Sequence, residues 1–214
     1  MTASLDDLEA WLWATPNSNR VSILFEELGL DYRVHPVNIR AGEQTAPAIL
    51  ALNPYGKIPI VAWRSEGVRH VLFESGAILM RFAEQAGRLL PPDSTAREET
   101  LAWTMVALTG LGPLSGQAHH WTDLAPEKPA AAVRHTVALV ERVYRTLDGR
   151  LADREHLAGD YSIADVAAYP WIARSHWTTV PLSAHPNLER WFRAVGSRPA
   201  VARGMDVPAG VRMA

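Results

Sequence analysis

Apolar and polar positions along the chain follow two regimes. In the first, strand-like runs alternate with helix-spaced ones. EAWLWA (9–14) reads as a short strand, TPNSN interrupts it, and RVSILFEELGL then places Val21, Leu24, Phe25 and Leu28 on one helical face ahead of a stop at Gly29. Asn17, Ser18 or Asn19 is placed to cap that helix. YRVHPVNI (32–39) reads as a second strand, which Pro36 assigns to a sheet edge. Residues 40–52 are a loop and a short helix. Then NPYGKIPIVAWRSEGVRHVLFESGA (53–77) gives a turn, a strand entered through Ile58-Pro59, a hairpin at Gly67 and a second strand. It ends at Glu74-Ser75-Gly76, directly before the apolar run AILMRFAEQ of a helix over 75–87, where Ser75 is placed either to cap that helix or to meet an anion. Pro59 at the head of a strand demands a strand entrance, an edge or a cis bond. The order βαβαββα over roughly 80 residues predicts a compact α/β domain whose first strand–helix–strand is a parallel crossover.

After LLPPDS (89–94), a Pro-rich polar break, the pattern turns helical, which divides the chain into expected domains over 1–90 and 95–214. A helix over 95–122 contains Gly110, Gly112 and Pro113 and should kink or break near 112. A second, over 127–148, aligns Val133, Val137, Val140, Tyr144 and Leu147. Ser162 and Asp165 form a capping box ahead of VAAYPWIA. Pro186-Asn187 opens a last helix that stops near Gly196, and the tail from Arg198 reads as extended and ordered by docking.

Composition narrows the function. The chain has 214 residues, 48% hydrophobic and 21% charged, which suits a globular protein with a full core. A formal net charge of -2 gives no general attraction to nucleic acid or acidic membranes. No apolar run approaches the ~18 residues of a spanning segment. The start, MTASLDDLEAW, is acidic where a secretory signal is basic, so the expected location is cytoplasmic. The absence of cysteine changes the picture most. It removes disulfides, thiolate metal sites, cysteine nucleophiles and any CxxC couple, so thiol chemistry here must use a thiol brought by a ligand.

Other chemistries lack their motifs. None of the eight histidines forms H-E-x-x-H or a spaced triad, and adjacent His119 and His120 diverge by about 100° on a helix, so no metal is expected. G-x-S-x-G, G-x-G-x-x-G and the P-loop pattern are missing. What remains is a set of polar residues at element junctions: Thr15 and Asn17, Lys57 before Pro59, and Glu74-Ser75. The plain reading of each is a cap or a turn. The functional reading is a set of donors at helix N-termini that would stabilise an anion such as a thiolate.

Taken in order, TPNSNRVSILFEELGLDY, GEQ (42–44), NPYGKIP and LFESGAIL resemble the thioredoxin-like N-terminal domain of cytosolic glutathione transferases. LGPLSGQAHHW, APEKPAAAVRHT and LAGDYSIADVAAYPW are similar to the bacterial Nu-class branch, which includes glutathione-dependent disulfide-bond reductases. The resemblance spans nearly the whole chain. It implies an α/β thioredoxin-like domain followed by an all-α domain, a homodimer without nucleic-acid or membrane partners, and a cleft between the domains. It also implies glutathione as co-substrate, with Asn17 at the sulfur and Thr15 as second donor. Gln44 and Lys57 would serve the glycyl end, and the Ile58 backbone, ahead of a cis proline, the cysteinyl moiety. Glu74 and Ser75 would hold the γ-glutamyl group. Arg134 would reach in from the helical domain, within its own subunit or across the dimer. The capping box would be the family's folding motif.

Some residues depart from that pattern. No Tyr or Cys occurs in the first 31 residues to activate the thiol. Ser18 stands where relatives often have Gly, NPYG replaces NPNN, and His135 replaces Tyr. Two charge-assisted hydrogen bonds of about 1.5–3 kcal/mol each would nevertheless supply the roughly 2.7 kcal/mol that a two-unit fall in thiol pKa requires. The expected activity is therefore thiolate attack on an electrophile. Two alternatives stand beside it: glutathione-dependent reduction of a small disulfide, and a glutathione-fold protein that binds without catalysing.

Overall fold

The structure, a computed structural model, describes residues 6–92 and 94–211. It divides into two compact units. One runs through Leu90 and takes in the chain from Pro199 onward; the other spans Pro91–Arg198. The helical unit thus stops at Arg198 rather than at the chain's end.

The first unit carries strands β1 (Asp6–Leu12), β2 (Arg33–Pro36), β3 (Ile60–Ser65) and β4 (Val68–Phe73) in one sheet, in the order β2-β1-β3-β4. β2 runs parallel to β1, and the other pairings are antiparallel. Pro36 therefore lies on an edge strand, where a missing N–H leaves no ladder bond unmade. Glu66 and Gly67 close the β3–β4 hairpin with φ of 51° and 77°, a two-residue turn that matches the strands' twist. Helices α1 (Pro16–Leu28) and α3 (Ser75–Ala86) pack Phe25 against Phe82, with ring centroids 4.9 Å apart, and Trp63 of β3 meets Phe82 edge-on. The short helix α2 (Pro47–Leu50) helps form a second cluster in which Trp11, Leu52, Ile58 and Phe73 pack on Val37, Ile49 and Ile60.

Two helix starts differ from expectation. α1 is capped by Thr15, whose Oγ1 accepts from Ser18 N at 3.3 Å, with Pro16 as the first helical residue. Proline's fixed φ and absent N–H suit that position, so the helix begins one turn early and Asn17, Ser18 and Asn19 fall inside it. Likewise Ser75 is the first residue of α3 rather than its cap. Glu74 occupies the cap position with φ 71° and makes no side-chain cap bond.

In the second unit the run expected to break near Gly112 continues through it. α4 (Ser94–Met105) leads into a π-helical stretch (Val106–Leu111), then α5 (Gly112–His119) and another π stretch (His120–Leu124). The wider π turn ahead of Pro113 absorbs the ring's clash with the preceding turn, so the helix goes on without a stop. α6 (Ala130–Arg150) buries Val140, Tyr144 and Leu147 as its periodicity predicts. The capping box opens α7 (Ile163–Ile172): Ser162 Oγ accepts from Ala164 N at 3.3 Å, and Asp165 Oδ2 accepts from Ser162 N at 3.1 Å. The same buried carboxylate accepts from Trp191 Nε1 at 2.8 Å and Leu157 N at 3.1 Å, joining α7 to α8 (Pro186–Gly196). None of the helices is long and apolar enough to cross a membrane, among the described residues.

The tail is helical, not extended: α9 (Pro199–Met205) docks on α1 as part of the first unit. Gly204 O accepts from Ser22 Oγ at 2.6 Å and from Asn19 Nδ2 at 3.1 Å.

Candidate functional site

The polar residues singled out from the sequence fall into three groups. The first lies at the N-terminal turns of α1 and α3. Position 20 follows Asn17 by one helical turn, and its guanidinium reaches both helices. Arg20 Nη1 donates to Asn17 Oδ1 at 2.8 Å and to Ser75 Oγ at 3.2 Å. Arg20 is only 2% exposed, a rare state for arginine that requires partners. Burial pushes its pKa down to about 9, and the charge of Glu74 pulls it back up. Asn17, Arg20, Glu74 and Ser75 thus form one electrostatic cluster built from two helix starts, where backbone N–H groups and dipoles already favour an anion.

Beside it, Thr15 and Ser18 pair through their hydroxyls at 3.1 Å, and Trp13 N donates to Ser18 Oγ at 3.3 Å. Ser18 is wholly buried, so its hydroxyl shapes the turn between β1 and α1. Thr15 is half-buried and shares its oxygen with the helix cap.

The second group surrounds the 53–59 loop. Buried Asn53 ties this loop together: its Nδ2 donates to Lys57 O at 2.8 Å and its Oδ1 accepts from Tyr55 N at 3.0 Å. Lys57 is exposed, its Nζ 5.8 Å from the Tyr55 ring centroid. Gly56, at φ +64°, sits with its Cα region close to the backbone of Gln44, so that a side chain there would contact the Gln44 carbonyl. Gln44 itself lies in a single 3-10 turn (Glu43–Thr45), with its Oε1 buried and without a hydrogen-bond partner. The Ile58–Pro59 peptide is cis, as the resemblance implies. The side chain of Ile58 belongs to the Val37–Ile49–Ile60 cluster, which leaves its backbone as the part able to meet a ligand.

The third group is Arg134 alone, exposed on α6 in the other unit. Among the described residues no group of three His, Asp or Glu could hold a metal ion.

Arg20 is the residue that reading the sequence missed, and its signal was present. Positions 17, 20, 21, 24 and 28 share one helical face, so Asn17 and Arg20 extend the apolar stripe rather than oppose it. A charged residue on the buried side of an amphipathic helix calls for a partner, and the partner lies in the ES pair of another helix.

Comparison with known proteins agrees with this architecture. Residues 14–85 match the family model for the glutathione S-transferase N-terminal domain, and residues 102–199 the model for its C-terminal domain. The chain is 35% identical over 204 residues to the disulfide-bond oxidoreductase YfcG of Escherichia coli K12, covering 92% of this chain and 94% of that one. It is 34% identical over 215 residues to the disulfide-bond oxidoreductase YghU of the same organism, covering 94% and 74%. Among solved structures, it matches a Burkholderia graminis glutathione transferase with two glutathione molecules bound per subunit at TM-score 0.89 and 35% identity, covering 96% and 90% of the two chains. A Pseudomonas putida glutathione transferase holding one glutathione disulfide per subunit matches at TM-score 0.91 and 32% identity, covering 95% and 93%. With a mixed α/β unit, an all-α unit and both family models matched in order, this chain belongs to the glutathione S-transferase superfamily.

Proposed function

We propose that the protein binds glutathione at the α1 and α3 helix starts and activates its thiol for attack on an electrophilic substrate. The observation that carries this reading is the junction of Asn17 and Ser75 on one buried guanidinium. It brings an amide and a hydroxyl together at two helix N-termini, an arrangement suited to a tripeptide with a thiolate at its centre and an α-carboxylate on its γ-glutamyl end. In this reading Asn17 and Thr15 stabilise the thiolate, and Ser75 and Glu74 take the γ-glutamyl carboxylate and ammonium. The Ile58 backbone pairs with the cysteinyl unit, while Gln44 and Lys57 serve the glycyl end. The unsatisfied Gln44 Oε1 suits a peptide N–H from the ligand.

A second reading is favoured by the relatives named as disulfide-bond oxidoreductases. A glutathione thiolate attacks one sulfur of a small disulfide, forming a mixed disulfide and releasing a thiolate. A second glutathione thiolate attacks the mixed disulfide, giving glutathione disulfide and the second product thiolate. Two glutathiones are oxidised, one substrate disulfide is reduced, and no protein cysteine takes part, as this chain requires.

Titration calorimetry with glutathione and with glutathione disulfide tests the shared step. The absence of saturable binding by either would overturn both readings. Turnover of an electrophile against a small disulfide, each with glutathione, separates them.

A further inference from the structure

The hydrogen-bonding chemistry of arginine has a directional consequence for this site. A guanidinium has five N–H donors and no acceptor, whereas an asparagine amide and a serine hydroxyl can each donate or accept. Arg20 Nη1 meets Asn17 at Oδ1 and Ser75 at Oγ. Turning the Asn17 amide over would set N–H against N–H, so the oxygen faces Arg20 and the Nδ2 group keeps its role as a donor to another partner. The Ser75 oxygen is likewise engaged as an acceptor, and its proton is directed elsewhere.

We propose that Arg20 is a positioning residue for thiol activation: its buried guanidinium holds Asn17 and Ser75 as donors toward the ligand, Asn17 to the thiolate and Ser75 to the carboxylate. The proposal rests on the glutathione-binding reading above and adds to it a group that touches neither reacting atom. Two further features support it. Arg20 is buried and bonded to the first turns of both α1 and α3, so it also fixes the spacing between the two donors. Donors set in place before the charge arrives need no reorganisation when it forms. Burial also lowers the proton affinity of Arg20, with Glu74 opposing that effect, so an anion arriving at the cluster relieves the cation's desolvation.

The test is a series at position 20 read through the pKa of bound glutathione's thiol, followed by thiolate ultraviolet absorbance across pH. Arg20→Lys keeps a donor-only group and should leave that pKa close to the parent's. Arg20→Gln brings an acceptor oxygen that frees the Asn17 amide to turn, and Arg20→Met removes donors altogether. Both should raise the bound-thiol pKa by about one unit, a tenfold loss of thiolate at pH values below it. In an Asn17→Ala background Arg20→Gln should add no further shift.

An unchanged thiol pKa in Arg20→Gln overturns the proposal. So does an equal rise with and without Asn17, which would mean that the arginine's charge acts on the thiolate directly. Thermal unfolding identifies any variant that fails to fold, and the lysine–glutamine pair decides the case if the methionine variant does. Failure of the parent protein to bind glutathione would instead strike the reading beneath, and calorimetry on the parent shows which has failed.

Discussion

Gly204 lies against the backbone of Ile23 with no room for a side chain: a Cβ there would come within 2.5 Å of both the Ile23 nitrogen and Cα. In an exposed helix, replacing glycine by alanine gains about 1 kcal/mol. Here the clash is with backbone, which cannot rotate away, so α9 must lift off α1. Gly204→Ala should therefore destabilise the protein by about 1–3 kcal/mol. Urea unfolding measures the loss. Amide exchange should place the lost protection in α1 and α9, and an unaltered exchange pattern there would count against this account.

In the proposed reading Asn17 is the amide donor to the thiolate, and Asn17→Ala removes it. A hydrogen bond to a charged acceptor is worth about 1.5–3 kcal/mol, so kcat/KM at neutral pH should fall about 10- to 100-fold. Calorimetric affinity for glutathione should change far less, because the other proposed contacts remain. The inflection of the kcat/KM profile should also move to higher pH, since less stabilisation of the thiolate means a higher thiol pKa. A loss confined to KM would assign Asn17 to binding alone.

The capping box gives an unequal pair. Ser162→Ala removes one cap and should cost about 1 kcal/mol. Asp165→Ala leaves the N–H groups of Trp191, Leu157 and Ser162 without their acceptor in the core, and should cost at least about 3 kcal/mol. Chemical denaturation of the two variants side by side checks the ratio. Equal losses would mean that the carboxylate serves only the helix end.

His119 supplies a pH dependence. Its ring stacks on Trp177 with centroids 4.3 Å apart, and its buried Nδ1 has no partner. Burial pushes its pKa below the ordinary 6.5; nearby Asp123 opposes this, and His176 and His120 add to it. As pH falls through 6.5 the unfolded chain takes up this proton before the folded one does, so stability drops on the acid side. Melting temperature measured across that range should fall in the parent and fall less in His119→Phe, which keeps the stacked ring. Identical slopes would remove His119 from the acid response.

Much of this fold is legible in the chain because backbone-restricting residues stand at its corners. Pro36 marks an edge strand, Pro59 a constrained strand entrance and Gly67 a hairpin, and each is a local steric fact that no tertiary packing overrides. The Ser162–Asp165 spacing works in the same way. Features that depend on distant partners are not legible locally. The place of Arg20 on the apolar side of its helix announces a buried partner, but not that the partner is Ser75, 55 residues on. Helicity at 199–205 follows from docking on α1, which the Pro- and Gly-rich composition conceals. The continuous helix through Gly112 depends on a π register that residue type does not announce. Asn17 and Ser75 were recognisable as donors at helix starts, but that a single buried group joins them was not.

The seam between α1 and α9 also sets an order of events. Asn19 and Gly204 are 185 positions apart, and the hydroxyl of Ser22, buried on the first helix, has Gly204 O as its nearest acceptor at 2.6 Å. During synthesis the N-terminal unit can form its sheet as soon as β4 emerges, but that face of its first helix stays open to water until residues near 204 have left the ribosome. The helix that carries Asn17 and Arg20 is made well before the segment that covers it.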